Sequence, residues 1–203
     1  DKSTQMDSIN SKKLILASKS TRRKELLEQL GIHIQICPSN IDEDAIILKN
    51  PEEYVNELSF LKTENICLDY PDFWILGADT VVVVDDQILG KPKSKTNAIQ
   101  MLNLLNNKSH SVFTGFCMMN TKENVIIQKS VETLVYFKSL SEQEINWYVN
   151  TGEPFDKAGA YAIQGKGAFL VKHIAGSYSN VVGLPLCEVV EALKNYNVIN
   201  FKD

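Results

Sequence analysis

Asp79 is the residue of this chain best placed to do chemistry. It lies in Phe73-Trp74-Ile75-Leu76-Gly77-Ala78-Asp79-Thr80, directly ahead of four valines. A run this apolar and β-branched reads as a buried strand. A lone carboxylate in such a strand is costly unless paired. Asp79 therefore either faces a cleft or has a cationic or metal partner. Gly77 beside it marks a close approach of another group to the backbone. A second group is Ser18-Lys19-Ser20-Thr21-Arg22-Arg23-Lys24. Ser18 or Ser20 can cap a helix there. Three cations in the first turn then oppose the helix dipole, at a cost of up to about 1 kcal/mol. A bound polyphosphate would reverse that sign; otherwise the stretch is a solvated basic face. Asp42-Glu43-Asp44 is either a solvated charge run or a source of hard-cation ligands beside Asp79. Lys91, between Gly90 and Pro92, is held by a stiff turn and suits a phosphate or an ion pair with Asp79. The Gln164 amide, ahead of Gly165, matches a nucleobase edge, or else bonds within its own turn.

The elements that must position these residues follow from patterning. Residues 13–17 form a first strand, and a helix follows over about 21–30, with Leu26, Leu27 and Leu30 on one face and Gly31 as its stop. A second strand covers 32–37. Pro51 and the acidic residues after it open a helix that runs to Cys67. The Asp79 strand turns at Asp85-Asp86 and returns through Ile88-Leu89. A helix covers 98–105. Strands 112–119 and 125–137 make an antiparallel pair, with a polar turn at 122–124. Ser141 and Glu144 have capping-box spacing. A strand over 160–163 delivers Gln164 into a glycine turn. A further strand spans 168–174 and a closing helix runs from 185 to about 196. This alternation specifies an α/β layer structure.

Composition narrows the function classes. The 203 residues carry a net charge of −4, with 44% hydrophobic and 23% charged residues. This balance fits one soluble domain or two packed lobes and disfavours general attraction to nucleic acid. Cys37, Cys67, Cys117 and Cys187 are widely spaced, which argues against zinc and against a disulfide scaffold. Three of the four have apolar surroundings and are expected to be buried thiols. No ligand-like pair exists among His33, His110 and His173, so any metal is expected on oxygen ligands, as magnesium or manganese. The stretch 156–167 departs from a phosphate-binding loop at Ala160 and Gly167. No run reaches membrane-spanning length. The expected arrangement is a flexible extension over 1–12 and a single domain over 13–203, in a reducing, cytoplasmic compartment.

Taken together the motifs resemble the Maf family, the septum-formation-related nucleoside triphosphate pyrophosphatases. The resemblance rests on Leu14-Ile15-Leu16-Ala17-Ser18-x-Ser20-x-Arg22-Arg23, Gly77-Ala78-Asp79-Thr80, Gly90-Lys91-Pro92 and His110-Ser111-Val112-x-Thr114. It continues through Asp156-Lys157-Ala158-Gly159-Ala160-Tyr161-x-Ile163-Gln164-Gly165 and Gly183-Leu184-Pro185. Thr21 departs from the pattern, standing where most members have proline.

The resemblance implies an elongated α/β fold: a mixed twisted sheet flanked by helices, with two lobes around a central cleft, similar to inosine triphosphate pyrophosphatases. It implies hydrolysis of the α–β phosphoanhydride bond of a nucleoside triphosphate, aided by Mg²⁺ or Mn²⁺, and a homodimer. The Ile-Gln-Gly form points to the branch that prefers dTTP and UTP. Asp79 falls on the family's catalytic aspartate, Glu43 on its acidic-loop glutamate, Lys62 and Lys91 on its lysines, Arg22 and Arg23 on its paired arginines, and Gln164 on its active-site glutamine. Charge placement then gives a mechanism. Glu43 and Asp79 hold the metal, and Asp79 orients or deprotonates the attacking water. Ser18, Arg22, Arg23, Lys62 and Lys91 bind the phosphates, and Gln164 reads a pyrimidine. The alternative is a nucleotide-binding regulator of cell division with little turnover.

Overall fold

The structure is a computed structural model and describes residues 8–47 and 50–202. The chain begins with strand β1 (Leu14–Leu16), helix α1 (Thr21–Glu28) and strand β2 (Gln35–Ile36). Ser20, not Ser18, caps α1 by accepting from Arg23 N at 3.3 Å. Leu26 and Leu27 are buried, whereas Leu30 lies beyond the helix and is 37% exposed. The expected second strand shrinks from six residues to two, both exposed. Helix α2 (Pro51–Cys67) starts as expected, with Asn50 as cap and proline in the first turn.

Strand β3 (Trp74–Val84) is the axis of the molecule. Asp85 and Asp86 both have positive φ, 47° and 61°, the backbone of a two-residue I′ hairpin, and they return the chain into β4 (Gln87–Leu89). Helix α3 (Lys95–Leu105) is capped by Ser94. Strands β5 (Ser109–Asn120) and β6 (Val125–Phe137) form the long antiparallel pair. Helix α4 (Glu142–Asn150) carries the complete capping box of Ser141 and Glu144. Strand β7 (Val171–Ala175), helix α5 (Tyr178–Val182) and helix α6 (Leu186–Asn195) complete the chain.

The seven strands make one mixed sheet in the order β2-β1-β3-β5-β6-β7, with β4 added beside β3. The β1–β2 and β1–β3 pairs are parallel and the rest antiparallel. One edge of β3 is paired to β5 from Ile75 to Val83. The other edge is shared: β1 takes Trp74 to Leu76 and β4 takes Val82 to Val84. Residues 77–81 pair with neither, so the sheet opens at Asp79.

Two apolar cores flank this opening. One gathers β1, α1, the start of β3 and α6, and ends on β3 at Ala78. The other gathers α3, α4, the end of β6 and the end of β3 from Val82 onward. These cores are the two lobes. Helix α2 covers both β3 and β5 at short range. A Cβ on Gly77 would overlap Thr63 Oγ1 and come within 3.0 Å of Ser59 O, and one on Gly115 would lie 2.6 Å from the Val55 backbone. The close approach expected at Gly77 is thus that of α2.

Other parts of the chain depart from the sequence expectation. Residues 160–163 are not a strand. Ala158–Ala160 is a 3-10 turn, with Gly159 N donating to Gly90 O just after β4, which ties the segment there and not into the sheet. The strand expected from 168 starts at Val171, because Gly165–Leu170 coils into another 3-10 turn. Of the cysteines, Cys67 and Cys117 are buried, Cys37 is half-buried and Cys187 exposed. The extension expected to be flexible over 1–12 lies outside the described residues as far as residue 7. Residues 8–12 are tied down: Ile9 N donates to Gly31 O, Ser11 N to Val198 O, and Asn10 Nδ2 to His33 O. Among the described residues, no helix is long and apolar enough to cross a membrane.

Candidate active site

Asp79 and Gly77 share a face of β3, since side chains alternate along a strand. The face that needs glycine for α2 therefore also turns Asp79 toward α2. Lys62 meets it there. Lys62 Nζ lies 2.9 Å from Asp79 Oδ1, 3.0 Å from Glu43 Oε1 and 3.5 Å from Ala78 O. One ammonium thus joins the acidic loop to the central strand. Lys62 and Asp79 are each only 8% exposed, while Glu43 is half-exposed in a short 3-10 turn capped by Asp42. Asp79 Oδ2 is buried and has no hydrogen-bond partner in the protein. The alternative partner for Asp79, Lys91, does not reach it; Lys91 stays exposed on the cleft wall.

Thr80 points to the opposite face and meets α1. Arg23 donates from Nη2 to Thr80 Oγ1 at 3.0 Å, from Nη1 to Ser18 Oγ at 3.3 Å and from Nε to Gly183 O at 2.6 Å. Three of its five N–H donors are thus spent on the protein, leaving one on each terminal nitrogen for a ligand. Burial lowers its pKa to about 10, against the opposing pull of Asp79, so it stays charged at neutral pH. Arg22 lies 4.0 Å from Asp156 Oδ2 and also faces the cleft. Ser18 Oγ accepts from Ser20 N at 3.1 Å, which closes the turn between β1 and α1.

All eight residues singled out in the sequence line one cleft of about 1050 Å³: Ser18, Arg22, Arg23, Glu43, Lys62, Asp79, Lys91 and Gln164. Lys19, Lys93 and Lys157 join them, so the wall carries seven cations against five carboxylates on a chain of net charge −4. Low-dielectric walls focus such a field on an anion. The field is not uniform. Around Glu43, burial would raise the carboxyl pKa, but Lys62, then Lys91 and Arg23, hold it below the ordinary value of 4.5. At Tyr54, burial and then the charges of Asp79 and Glu43 push the phenol up. The cleft therefore has an acidic focus at Asp79 and Glu43 inside a basic rim.

Two carboxylates and a buried free oxygen suit a hard cation that completes its shell with water and phosphate oxygens. Among the described residues, no group of three His, Cys, Asp or Glu side chains converges to hold a metal from protein donors alone. Gln164 faces the cleft from the end of the 160–163 segment, and its side chain does not cap the turn after it.

A buried polar chain stands behind Arg23, and residue patterning alone assigns none of its members a role. Thr80 Oγ1 lies 2.8 Å from Thr114 Oγ1, which donates to Asn180 O at 3.1 Å. Asn180 Nδ2 in turn donates to Val112 O, Val131 O and Thr133 Oγ1. This buried chain ties β3, β5, β6 and α5 behind Arg23. From patterning a threonine in a strand is β-branched filler, and only the motifs of the resemblance mark Thr80 and Thr114; Thr133 and Asn180 have no signal, and no helix is expected over 178–182.

The family model described as "Maf-like protein" matches residues 13–196. A protein of Desulfotalea psychrophila named "dTTP/UTP pyrophosphatase" is 49% identical over 189 residues, covering 93% of this chain and 97% of its own. One of the same name from Syntrophus aciditrophicus is 48% identical, covering 93% and 92%. A solved Ham1 protein of Staphylococcus aureus aligns with a TM-score of 0.49 and 13% identity, over 91% of this chain and 99% of that one. The family match spans both lobes and every residue of the cleft described above, and the chain belongs to the Maf family.

Proposed function

We propose that this chain hydrolyses pyrimidine nucleoside triphosphates of the dTTP and UTP type to the monophosphate and pyrophosphate. The observation that carries this reading is the Glu43–Lys62–Asp79 cluster, a focus of negative charge set inside a basic cleft. Two relatives nearly half identical to it bear the name dTTP/UTP pyrophosphatase, which supports the same substrate class here.

Asp79 and Glu43 would hold a divalent cation, Mg²⁺ or Mn²⁺, directly or through water; when bound it supplies charge neutralisation at the phosphates. The chain's own residues do the rest. Asp79, hydrogen-bonded through Oδ1 and free at Oδ2, orients the attacking water and takes its proton. Lys62 fixes both carboxylates in place and helps hold Glu43 ionised. Arg22, the remaining donors of Arg23, and Lys91 bind the triphosphate oxygens and stabilise charge on the leaving pyrophosphate. Ser18 and the start of α1 seat the phosphate next to the opening in β3. Gln164, not used by its own turn, pairs with the pyrimidine edge.

Pyrophosphate release from a panel of dTTP, UTP, CTP, ATP and GTP, with chelator and with added Mg²⁺, tests the proposal. The expected result is release of equimolar monophosphate and pyrophosphate, fastest for dTTP and UTP and abolished by chelator. Nucleotide binding without products would establish a regulator instead.

A further inference from the structure

Gln164 has no side-chain bond that aims it, yet a residue that reads a base edge must be held still. The backbone on both sides of it is held, and by the same two residues. Tyr148, on α4 and fully buried, accepts from Ala162 N at 3.0 Å through its hydroxyl. That hydroxyl donates to Glu153 Oε1 at 2.7 Å. Glu153 Oε1 accepts from Gly167 N at 3.0 Å, and Oε2 accepts from Lys166 N at 3.1 Å. The ring of bonds therefore runs from Ala162 through Tyr148 and Glu153 to Lys166 and Gly167, with Gln164 at the centre of the enclosed segment.

The glycines of this segment belong to the same device. Gly165 has φ +66°, and a Cβ there would lie 2.9 Å from Glu153 Oε2. A Cβ on Gly167 would overlap Ala162 O and lie 2.6 Å from the Tyr148 hydroxyl. Both positions are kept bare so that a carboxylate and a phenol can reach the backbone. None of these bonds involves Asp79, Lys62, Glu43 or Arg23.

We propose that Tyr148 and Glu153 are positioning residues that aim Gln164 and thereby set which base the cleft accepts. The inference rests on the reading of Gln164 given under Proposed function. It separates base selection, governed from α4 and the Glu153 turn, from phosphate chemistry, governed from β3, α1 and α2.

The test compares the parent with Tyr148→Phe, Glu153→Gln and Gln164→Ala on dTTP, GTP and ribose 5-triphosphate, which lacks a base. Tyr148→Phe deletes the hydroxyl and with it both of its hydrogen bonds, from Ala162 N and to Glu153 Oε1, and should raise KM for dTTP at least about tenfold, with kcat held. The preference for dTTP over GTP should shrink by the same factor. Turnover of ribose 5-triphosphate should not change. Adding Tyr148→Phe to Gln164→Ala should have no further effect on preference.

A selective parent and a less selective Gln164→Ala, together with an unchanged dTTP-to-GTP ratio in Tyr148→Phe and Glu153→Gln, would overturn the clamp alone. An equal loss on dTTP and ribose 5-triphosphate would overturn it too, as general loosening. A Gln164→Ala variant with parental preference would instead remove the base-reading role itself. Should Glu153→Gln fold poorly, Tyr148→Phe decides the matter.

Discussion

Replacing Lys62 by methionine would keep the alkyl stem that packs in α2 and remove only the ammonium. The structure fixes the size of the effect. The Lys62–Asp79 pair is 2.9 Å long with both partners about nine-tenths buried, whereas Glu43 is half-exposed. Removing one partner of a buried pair costs about 3–5 kcal/mol, while an exposed pair adds about 0–1 kcal/mol. Asp79 stands at the open edge of β3, where water can enter, so the low end applies, about 3 kcal/mol. For a chain of this length that is a fall in Tm of about 6–12 °C.

Thermal melting followed by circular dichroism, in chelator and in excess MgCl₂, reads it. In chelator Lys62→Met should melt that much lower than the parent. In Mg²⁺ the gap should narrow, because a dication replaces the lost charge between Asp79 and Glu43. The acid limb carries a second signature. In the parent, Lys62 and its neighbours hold the Glu43 pKa below 4.5, so that carboxylate contributes stability present above its unfolded value and lost as pH falls through its folded one. Lys62→Met removes the main cation holding it down and should lose less stability over that acid window. A variant melting within about 2 °C of the parent in chelator would refute the reasoning, since the buried pair would then contribute almost nothing.

Other consequences concern the scaffold. Gly77→Ala should push α2 off β3, cost about 1–3 kcal/mol and, by moving Lys62, lower kcat as well; parental stability and rate would show that the packing is looser than described. His110 is 3% exposed beside Tyr161, and burial lowers its pKa from 6.5 to about 4. Because the folded value is depressed, its contribution is complete above pH 6.5 and is lost progressively down to pH 4, about 3 kcal/mol in all. His110→Gln should flatten denaturant-derived stability over that window, and an unchanged slope would show that His110 protonates without unfolding the site.

Much of this architecture was legible because it is local. Pro51 after Asn50, the Ser141–Glu144 box and the Asp85-Asp86 turn each set their own backbone within four residues. The apolar run around Asp79 announced both the strand and its anomaly. The non-local parts were not legible. From residue patterning alone Lys62 is one more polar position on a long helix, and only the resemblance marked it. Its partner in the strand is seventeen residues away and reaches it because Gly77 lets the helix descend. Residues 160–163 are a short apolar run, which by composition suits a strand, while the non-local bond from Gly159 to Gly90 holds the segment out of the sheet. Arg23 is expected to bind phosphate, and the sequence does not show that Gly183, Thr80 and Ser18, 160, 57 and 5 positions away, each take one of its donors.

The central claim is that the carboxylate of Asp79, set at the gap between β1 and β4, drives hydrolysis of the α–β bond. Asp79→Asn keeps the shape, leaves Lys62 paired to Glu43 and deletes only the charge. The decisive measurement is its steady-state release of pyrophosphate from dTTP with Mg²⁺ present, beside a circular dichroism spectrum matching the parent. The account predicts a folded protein with product formation lost; a folded Asp79→Asn enzyme turning over at the parental rate would contradict it.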